Sequence, residues 1–176
     1  MNPKLETLRQ EIATSVQNLS AAQTQLRPQA RPAAWSIQEI LEHLLLTYER
    51  AGKAFEDRLA KRRLSLRQLT ARDRFFQWLV LDLGYFPAGR IAPESVRPGQ
   101  LNLPAMSGVG LAQQAAQHLE AFDSLTVRVE IIFGKRRCVY HSVLGLMSVP
   151  QWRNFQLVHG RHHLKQVARI RADHKM

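Results

Sequence analysis

The stretch SVPQWRNFQLVHGRHHLKQVARI, residues 148–170, carries the pattern from which the fold of this chain can be predicted. It opens with Ser148 and Gln151, a capping-box arrangement in which the two side chains satisfy free backbone N–H groups at a helix start. Pro150 lies in the first turn, where its missing N–H costs nothing. The apolar residues that follow lie on one side of a helical wheel. We therefore predict a helix that runs from Ser148 to about residue 172.

The preceding sequence predicts three more amphipathic helices. Apolar residues at intervals of three or four predict helices over residues 3–26, 37–61 and 110–129. The second of these helices opens with Ser36 and Glu39, which form another capping box. Core packing is the predicted role of the three tryptophans, Trp35, Trp78 and Trp152.

The segments between these helices are short or irregular. Residues 58–74 hold seven Lys or Arg against one Asp, which indicates a basic turn region leading into a short helical piece at residues 75–83. Residues 84–104 contain four prolines and three glycines, which predicts a long crossover loop, and residues 137–147 have an extended pattern. We therefore predict an all-α fold: an antiparallel four-helix bundle with a long crossover loop and an extra short helix, in a single domain over residues 1–176.

The composition limits the classes of protein. Hydrophobic residues make up 45% of the chain and charged residues 22%, as in folded rather than disordered proteins. The N-terminus has no apolar signal segment, and no uncharged apolar stretch of about 18 residues occurs, so we expect a cytoplasmic protein without membrane contact. A single cysteine, Cys138, excludes an internal disulfide and any Cys₂ or Cys₄ zinc site. The motifs HExxH and GxSxG and a glycine-rich phosphate loop are all absent.

The histidines of the last predicted helix fall on its apolar face. At about 100° per residue, His159 and His163 lie within about 20° of Trp152, whereas His162 lies about 80° away. Two imidazoles four residues apart can chelate one divalent ion if a third ligand comes from elsewhere, and His43 on the second helix could face a neighbouring helix. The same spacing also fits hydrogen-bonded core histidines, and the residues alone leave both interpretations open.

Two stretches taken together resemble the signatures of the DinB/YfiT-like superfamily of metal-binding four-helix-bundle proteins: WSIQEILEHLLL, residues 35–46, and HSVLGLMSVPQWRNFQLVHGRHHLKQV, residues 141–167. In that family, a histidine eight residues after the helix-opening tryptophan joins an HxxxH pair on the last helix. The matching positions here are His43, His159 and His163. The resemblance implies that these three residues bind a divalent ion, which could be zinc, nickel or iron.

The resemblance also implies a class of chemistry. Relatives in the family include transferases and isomerases that use low-molecular-weight thiols. Three neutral imidazoles leave a divalent ion with its positive charge and an open coordination position, as in catalytic zinc sites, where the ion can deprotonate a thiol or activate water. We therefore predict a metal-dependent transferase or hydrolase-like enzyme for a small-molecule substrate, with a low-molecular-weight thiol as candidate cosubstrate. In one departure from the family pattern, the loop HSVLGLMS lacks the proline expected after its histidine, which affects the predicted shape of the pocket mouth.

The sequence identifies no catalytic base or nucleophile. Glu39 lies one turn before His43, but we predict that the capping box occupies it. Gln156, one turn before His159, either supports the metal site or packs in the core. Cys138 is interpreted as a small apolar filler. For His141 a hydrogen-bonded loop position is favoured over substrate contact.

An alternative from another class is a non-enzymatic basic helical module that binds nucleic acid or another acidic partner through residues 58–74. The formal net charge of +11 favours polyanions. The segment lacks interleaved aromatic residues and any DNA-reading motif, so nucleic acid is the less favoured partner. A third alternative is a degenerate bundle that keeps the histidines without catalysis. A homodimer paired through exposed helix faces is a candidate assembly.

Overall fold

The computed structural model describes residues 1–65, 67–87 and 91–176. These residues are mostly helical and include one two-stranded antiparallel sheet. In chain order the elements are α1 (Pro3–Ser15), α2 (Ala21–Thr24), α3 (Ile37–Lys61), α4 (Ala71–Gln77), α5 (Gly108–Phe133), β1 (Val139–His141), β2 (Gly145–Met147) and α6 (Val149–Asp173). A π-helical turn, Trp78–Asp82, continues α4, and a 3₁₀ turn, Glu94–Val96, lies in the crossover. No helix in the described part of the chain has the length and hydrophobicity needed to cross a membrane.

The prediction of one long helix over residues 3–26 was wrong, because the chain breaks after α1. Asn18 adopts a left-handed backbone conformation with φ of 62°, which a continuous helix does not contain. Ser20 then starts α2 with its own capping box to Gln23. The carbonyl of Leu19 also leaves the helical pattern, since it accepts a hydrogen bond from Gly108 N–H at 2.8 Å. The break therefore joins the end of α1 to the start of α5.

The four long helices pack against one another around a hydrophobic core. Helix α1 contacts α5 and α6, and α3 contacts the same two helices. Leu8, Leu44 and Leu119 are fully buried in this core, and Phe55 stacks edge to face on Phe122 with ring centroids 5.6 Å apart. Across α5 and α6, Arg153 pairs with Glu130 at 2.5 Å. The helices therefore bury the apolar faces that the sequence predicts.

The crossover between α4 and α5 is held against α3 by buried side chains of that helix. Glu42 Oε1 accepts hydrogen bonds from the backbone N–H groups of Gly99 and Leu101, both at 2.9 Å. Gln38 accepts from Met106 N–H at 2.8 Å and donates to the carbonyl of Pro104 at 2.9 Å. Because each side chain fixes two backbone groups, residues 91–107 follow a defined path over the start of α3. Residues 88–90 of the predicted crossover lie outside the described residues.

The extended stretch predicted at residues 137–147 forms the β1–β2 hairpin, in which Tyr140 pairs with Leu146. Trp152 at the start of α6 is buried and donates its indole N–H to the carbonyl of Val139 at 3.1 Å. Trp78 differs from the prediction, since 49% of its surface is exposed. A π-helical turn begins at Trp78 and changes the number of residues per turn. The 3.6-residue period that assigned Trp78 to the apolar face therefore does not apply there.

Candidate metal centre

Three histidines from two helices meet in the interior of the molecule. His43 lies on α3, and His159 and His163 lie one turn apart on α6, where they are 4%, 5% and 6% exposed. The Nε2 atom of His159 is 3.4 Å from that of His43 and 3.1 Å from that of His163. One ligand atom from each residue lies within 4.8 Å of the others. The structure therefore brings together the three residues that the resemblance selected.

Hydrogen bonds on the far side of two rings set the direction of their lone pairs. His43 Nδ1 lies 2.7 Å from the carbonyl oxygen of Val96, and His163 Nδ1 lies 3.2 Å from the amide oxygen of Gln166. An oxygen acceptor requires a proton on Nδ1, so the Nε2 atom of each ring carries a lone pair. Metal-binding histidines are oriented by the same kind of bond to a carbonyl or amide.

Burial keeps these imidazoles neutral. It is the main cause that lowers the pKa of His43 and that of His163, the latter to about 3. The pKa of His159 is also lowered well below its usual range, first by burial and then by the neighbouring histidines. Neutral imidazole is the form that binds a metal ion, so the three rings present lone pairs at neutral pH.

The spacing of the Nε2 atoms fits a shared ion. Zinc–nitrogen bonds of 2.0–2.1 Å in tetrahedral geometry place two ligand nitrogens about 3.3 Å apart. The two Nε2 separations of 3.1 and 3.4 Å lie close to that value. Without a cation, the Nε2 atom of His159 could donate one proton to only one of the two neighbouring Nε2 atoms. The buried Nδ1 atom of His159 also has no hydrogen-bond partner. Three buried histidines in this arrangement could hold a metal ion.

The cluster lies in the wall of a cavity of about 1540 Å³. Trp35 packs against His43 and His163 with ring centroids 5.0 and 6.3 Å away, and Phe86 packs against His159 at 5.1 Å. Such a volume can admit a small molecule beside an ion. The arrangement combines three nitrogen donors with an adjoining cavity, whereas a closed structural zinc site has four protein ligands.

Two other sequence candidates have structural roles away from the cavity. Glu39 accepts from Ser36 N–H at 2.7 Å and pairs with Arg27 at 2.8 Å, so the capping-box interpretation is confirmed. Cys138 is fully buried, and burial raises the pKa of its thiol, which keeps it protonated and unreactive.

Two further candidates line the cavity. His141 Nδ1 accepts hydrogen bonds from the backbone N–H groups of Val143 and Leu144 at 3.1 and 3.2 Å, which places the ring proton on Nε2. Gln156 is fully buried, and neither its amide oxygen nor its amide nitrogen has a hydrogen-bond partner. A buried amide without partners is costly, and Gln156 is such a group next to the cavity.

Sequence reasoning missed the residues that orient and cover the cluster. Val96 contributes a backbone carbonyl, which no side-chain motif reports, and Gln166 follows His163 by three residues, a spacing that a helical wheel could have revealed. Trp35 was interpreted as a core residue, although its position before the helix that carries His43 placed it near the site. Phe86 belongs to the crossover and carries no sequence signal for its role.

Comparison with known proteins supports the family resemblance. A family model described as the DinB superfamily matches residues 4–167, which include the three histidines. No curated protein and no solved structure gives a significant match to the chain. Because the family match extends over most of the sequence and the helices, we conclude that the chain belongs to the DinB superfamily.

Proposed function

We propose that this protein is a metal-dependent enzyme, a transferase or a hydrolase, that acts on a small molecule at the His43, His159 and His163 cluster. The observation that carries the proposal is the convergence of three neutral imidazoles on one point in the wall of a large cavity. We also assign the four long helices to an antiparallel bundle, whose facing helices supply the ligands. Zinc, nickel and iron all suit three imidazoles.

A divalent ion bound there supplies Lewis-acid chemistry that lowers the pKa of a thiol or of water. The chain's own residues have three tasks. Val96 and Gln166 hold the rings of His43 and His163 in place through Nδ1. Trp35 and Phe86 exclude water from the rings that they cover. The Nε2–H of His141 offers a hydrogen bond to a substrate in the cavity. A low-molecular-weight thiol is the proposed cosubstrate.

The alternative function, nucleic-acid binding through residues 58–74, has less support. None of the described residues of that segment lines the cavity. Arg67 lies over the ring of Tyr140 at 3.9 Å, and Arg58 donates to the carbonyl of Arg63 at 2.8 Å, so part of the segment's charge is engaged within the protein.

The decisive experiment measures metal content by elemental analysis of protein purified without a histidine tag or nickel column. We expect about one zinc, nickel or iron ion per chain in the wild type. His43→Ala and His159→Ala should both lose the ion, because two imidazoles bind far more weakly than three. His162→Ala is the matched control, since His162 is adjacent to His163 but lies outside the cluster.

A protein that holds no ion and takes up none at micromolar concentrations would make the three histidines core residues. Equal metal loss from His162→Ala would place the site elsewhere. If the ion is present, the loaded wild type should next be screened for transfer of small thiols to electrophilic substrates and for hydrolysis. Activity that disappears in His159→Ala would support the enzymatic proposal, whereas metal binding without any activity would favour a degenerate bundle.

A further inference from the structure

The cavity that contains the three histidines is lined by cations from separate parts of the chain. These cations are Arg31, Arg50, Arg97, Lys165 and Arg169. They come from the loop before α3, from α3 itself, from the crossover and from α6. These five cations are therefore brought together by folding and are not contiguous in the sequence.

Most of these cations have no partner within the described residues. No ion pair or side-chain hydrogen bond is formed by Arg31, Arg50, Lys165 or Arg169 in the described parts of the chain, and Arg97 donates only to the backbone carbonyl of Ala92 at 3.0 Å. All five cations are exposed, so they lie around one shared volume that is open to solvent.

Little negative charge opposes them. Asp173 is the only carboxylate in the cavity wall among the described residues, and its Oδ2 already accepts a hydrogen bond from Gln29 N–H at 3.3 Å. A concave site lined by one sign of charge concentrates the opposite charge inside it.

The inner wall suits a molecule with an apolar body. The rings of Trp35, Phe86 and Phe155 line the cavity beside the three histidines. His141 adds an Nε2–H to this wall. An apolar interior with a few polar groups and a cationic surround matches an organic anion better than an inorganic one.

We propose that the substrate of this cavity is a small organic anion, with an apolar body beside the three histidines and a carboxylate or phosphate group bound by Lys165 and Arg169. Arginine binds both kinds of anion through paired N–H groups, and lysine adds a point charge. The proposal rests on the proposed function only in placing the reaction at the histidine cluster. Binding of the anion itself requires no metal.

The test compares two probes of the same shape, 2-naphthoate and the neutral 2-naphthamide, by isothermal titration calorimetry. Wild-type protein should bind naphthoate more tightly than naphthamide. Lys165→Gln/Arg169→Gln should weaken naphthoate binding about tenfold and leave naphthamide binding unchanged. The control Arg128→Gln/Arg137→Gln removes the same charge at exposed positions outside the cavity wall and should behave like the wild type.

Three results would overturn the proposal. The first is equal binding of naphthoate and naphthamide to the wild type. The second is no binding of naphthoate at millimolar concentration. The third is a loss of naphthoate affinity in the control variant as large as in the cavity variant, which would mean that only net charge matters. Circular dichroism verifies that both double variants are folded.

The content of zinc, nickel and iron, measured on the same samples, separates this proposal from the proposed function. A wild type that holds none of these ions and still prefers naphthoate would retain the anion site and rule out the metal enzyme. A wild type that holds one of these ions but binds naphthoate and naphthamide equally would retain the metal site and rule out the anion site.

Discussion

At the scale of single residues, two side chains of α6 near the cavity have buried polar atoms without hydrogen-bond partners. His159 Nδ1 and both polar atoms of Gln156 are buried and unpaired, and they lie one turn apart on α6 beside the cavity. A soluble protein seldom tolerates such groups unless a ligand, an ion or water completes them. His141 differs, since two backbone N–H groups satisfy its Nδ1 and fix its neutral tautomer.

His141 makes the stability of the metal-free protein depend on pH. Burial lowers its pKa to about 4 in the folded chain, whereas an unfolded histidine has a pKa of about 6.5. Between these values the unfolded chain binds one more proton, so this residue's stabilisation is present above pH 6.5 and declines as the pH falls towards 4. The decline is about 1.4 kcal/mol per pH unit.

The substitution His141→Asn should remove this dependence while its amide oxygen keeps an acceptor for Val143 and Leu144. Urea denaturation with EDTA between pH 4.5 and 6 should give the variant a slope smaller by about 1.4 kcal/mol per pH unit. Parallel stability curves for wild type and variant would show that His141 titrates normally in the folded protein.

At the scale of secondary-structure elements, close backbone approach decides where helices meet. A Cβ atom on Gly108 would lie 1.8 Å from the carbonyl oxygen of Val16, so the start of α5 touches the end of α1 with no room for a side chain. This contact and the hydrogen bond from Gly108 to Leu19 hold the two helices in register.

Gly108→Ala should therefore destabilise the protein by about 2 kcal/mol or more, since the two backbones must separate. Gly110→Ala is the matched control in the same turn. Its Cβ would meet only the flexible side chain of Met106 at 3.0 Å, and alanine favours the helix by up to about 1 kcal/mol. Chemical denaturation measures both; equal stabilities for the two variants would contradict the close contact.

At the scale of the whole molecule, the histidine cluster joins two helices that are far apart in the sequence and close together in the fold. His43 on α3 and His159 on α6 are 116 residues apart, and the unfolded chain does not hold them together. An ion that binds all three imidazoles binds the folded state preferentially. Metal binding and global stability are therefore coupled.

Adding zinc to the metal-free protein should raise its melting temperature. At a free concentration 100 times the dissociation constant, the added stability is about 2.7 kcal/mol. His43→Ala should show little of this rise, and His162→Ala should show all of it. Differential scanning calorimetry with and without zinc checks this. An equal rise in His43→Ala would assign the stabilisation to a different site.

Sequence patterns predicted the parts of the fold that depend on periodicity and capping. The helices that carry the histidines have long apolar faces and capping boxes at Ser36 and Ser148, and these local signals agree with the packing. Apolar spacing alone did not reveal the break near Asn18 or the π-helical turn at Trp78, although the Ser20–Gln23 capping box was a local signal for the break. The histidine triplet was read from a family resemblance, because spacing alone could not join His43 to α6.

The separation of the cluster along the chain has a consequence during synthesis. A ribosome adds about 5–20 residues each second and completes α3 long before it reaches α6. Until residues 159–163 emerge, the nascent chain offers one histidine of the three. Any ion that binds all three histidines must therefore be acquired late, and a chain that stops before α6 lacks two of the three ligands.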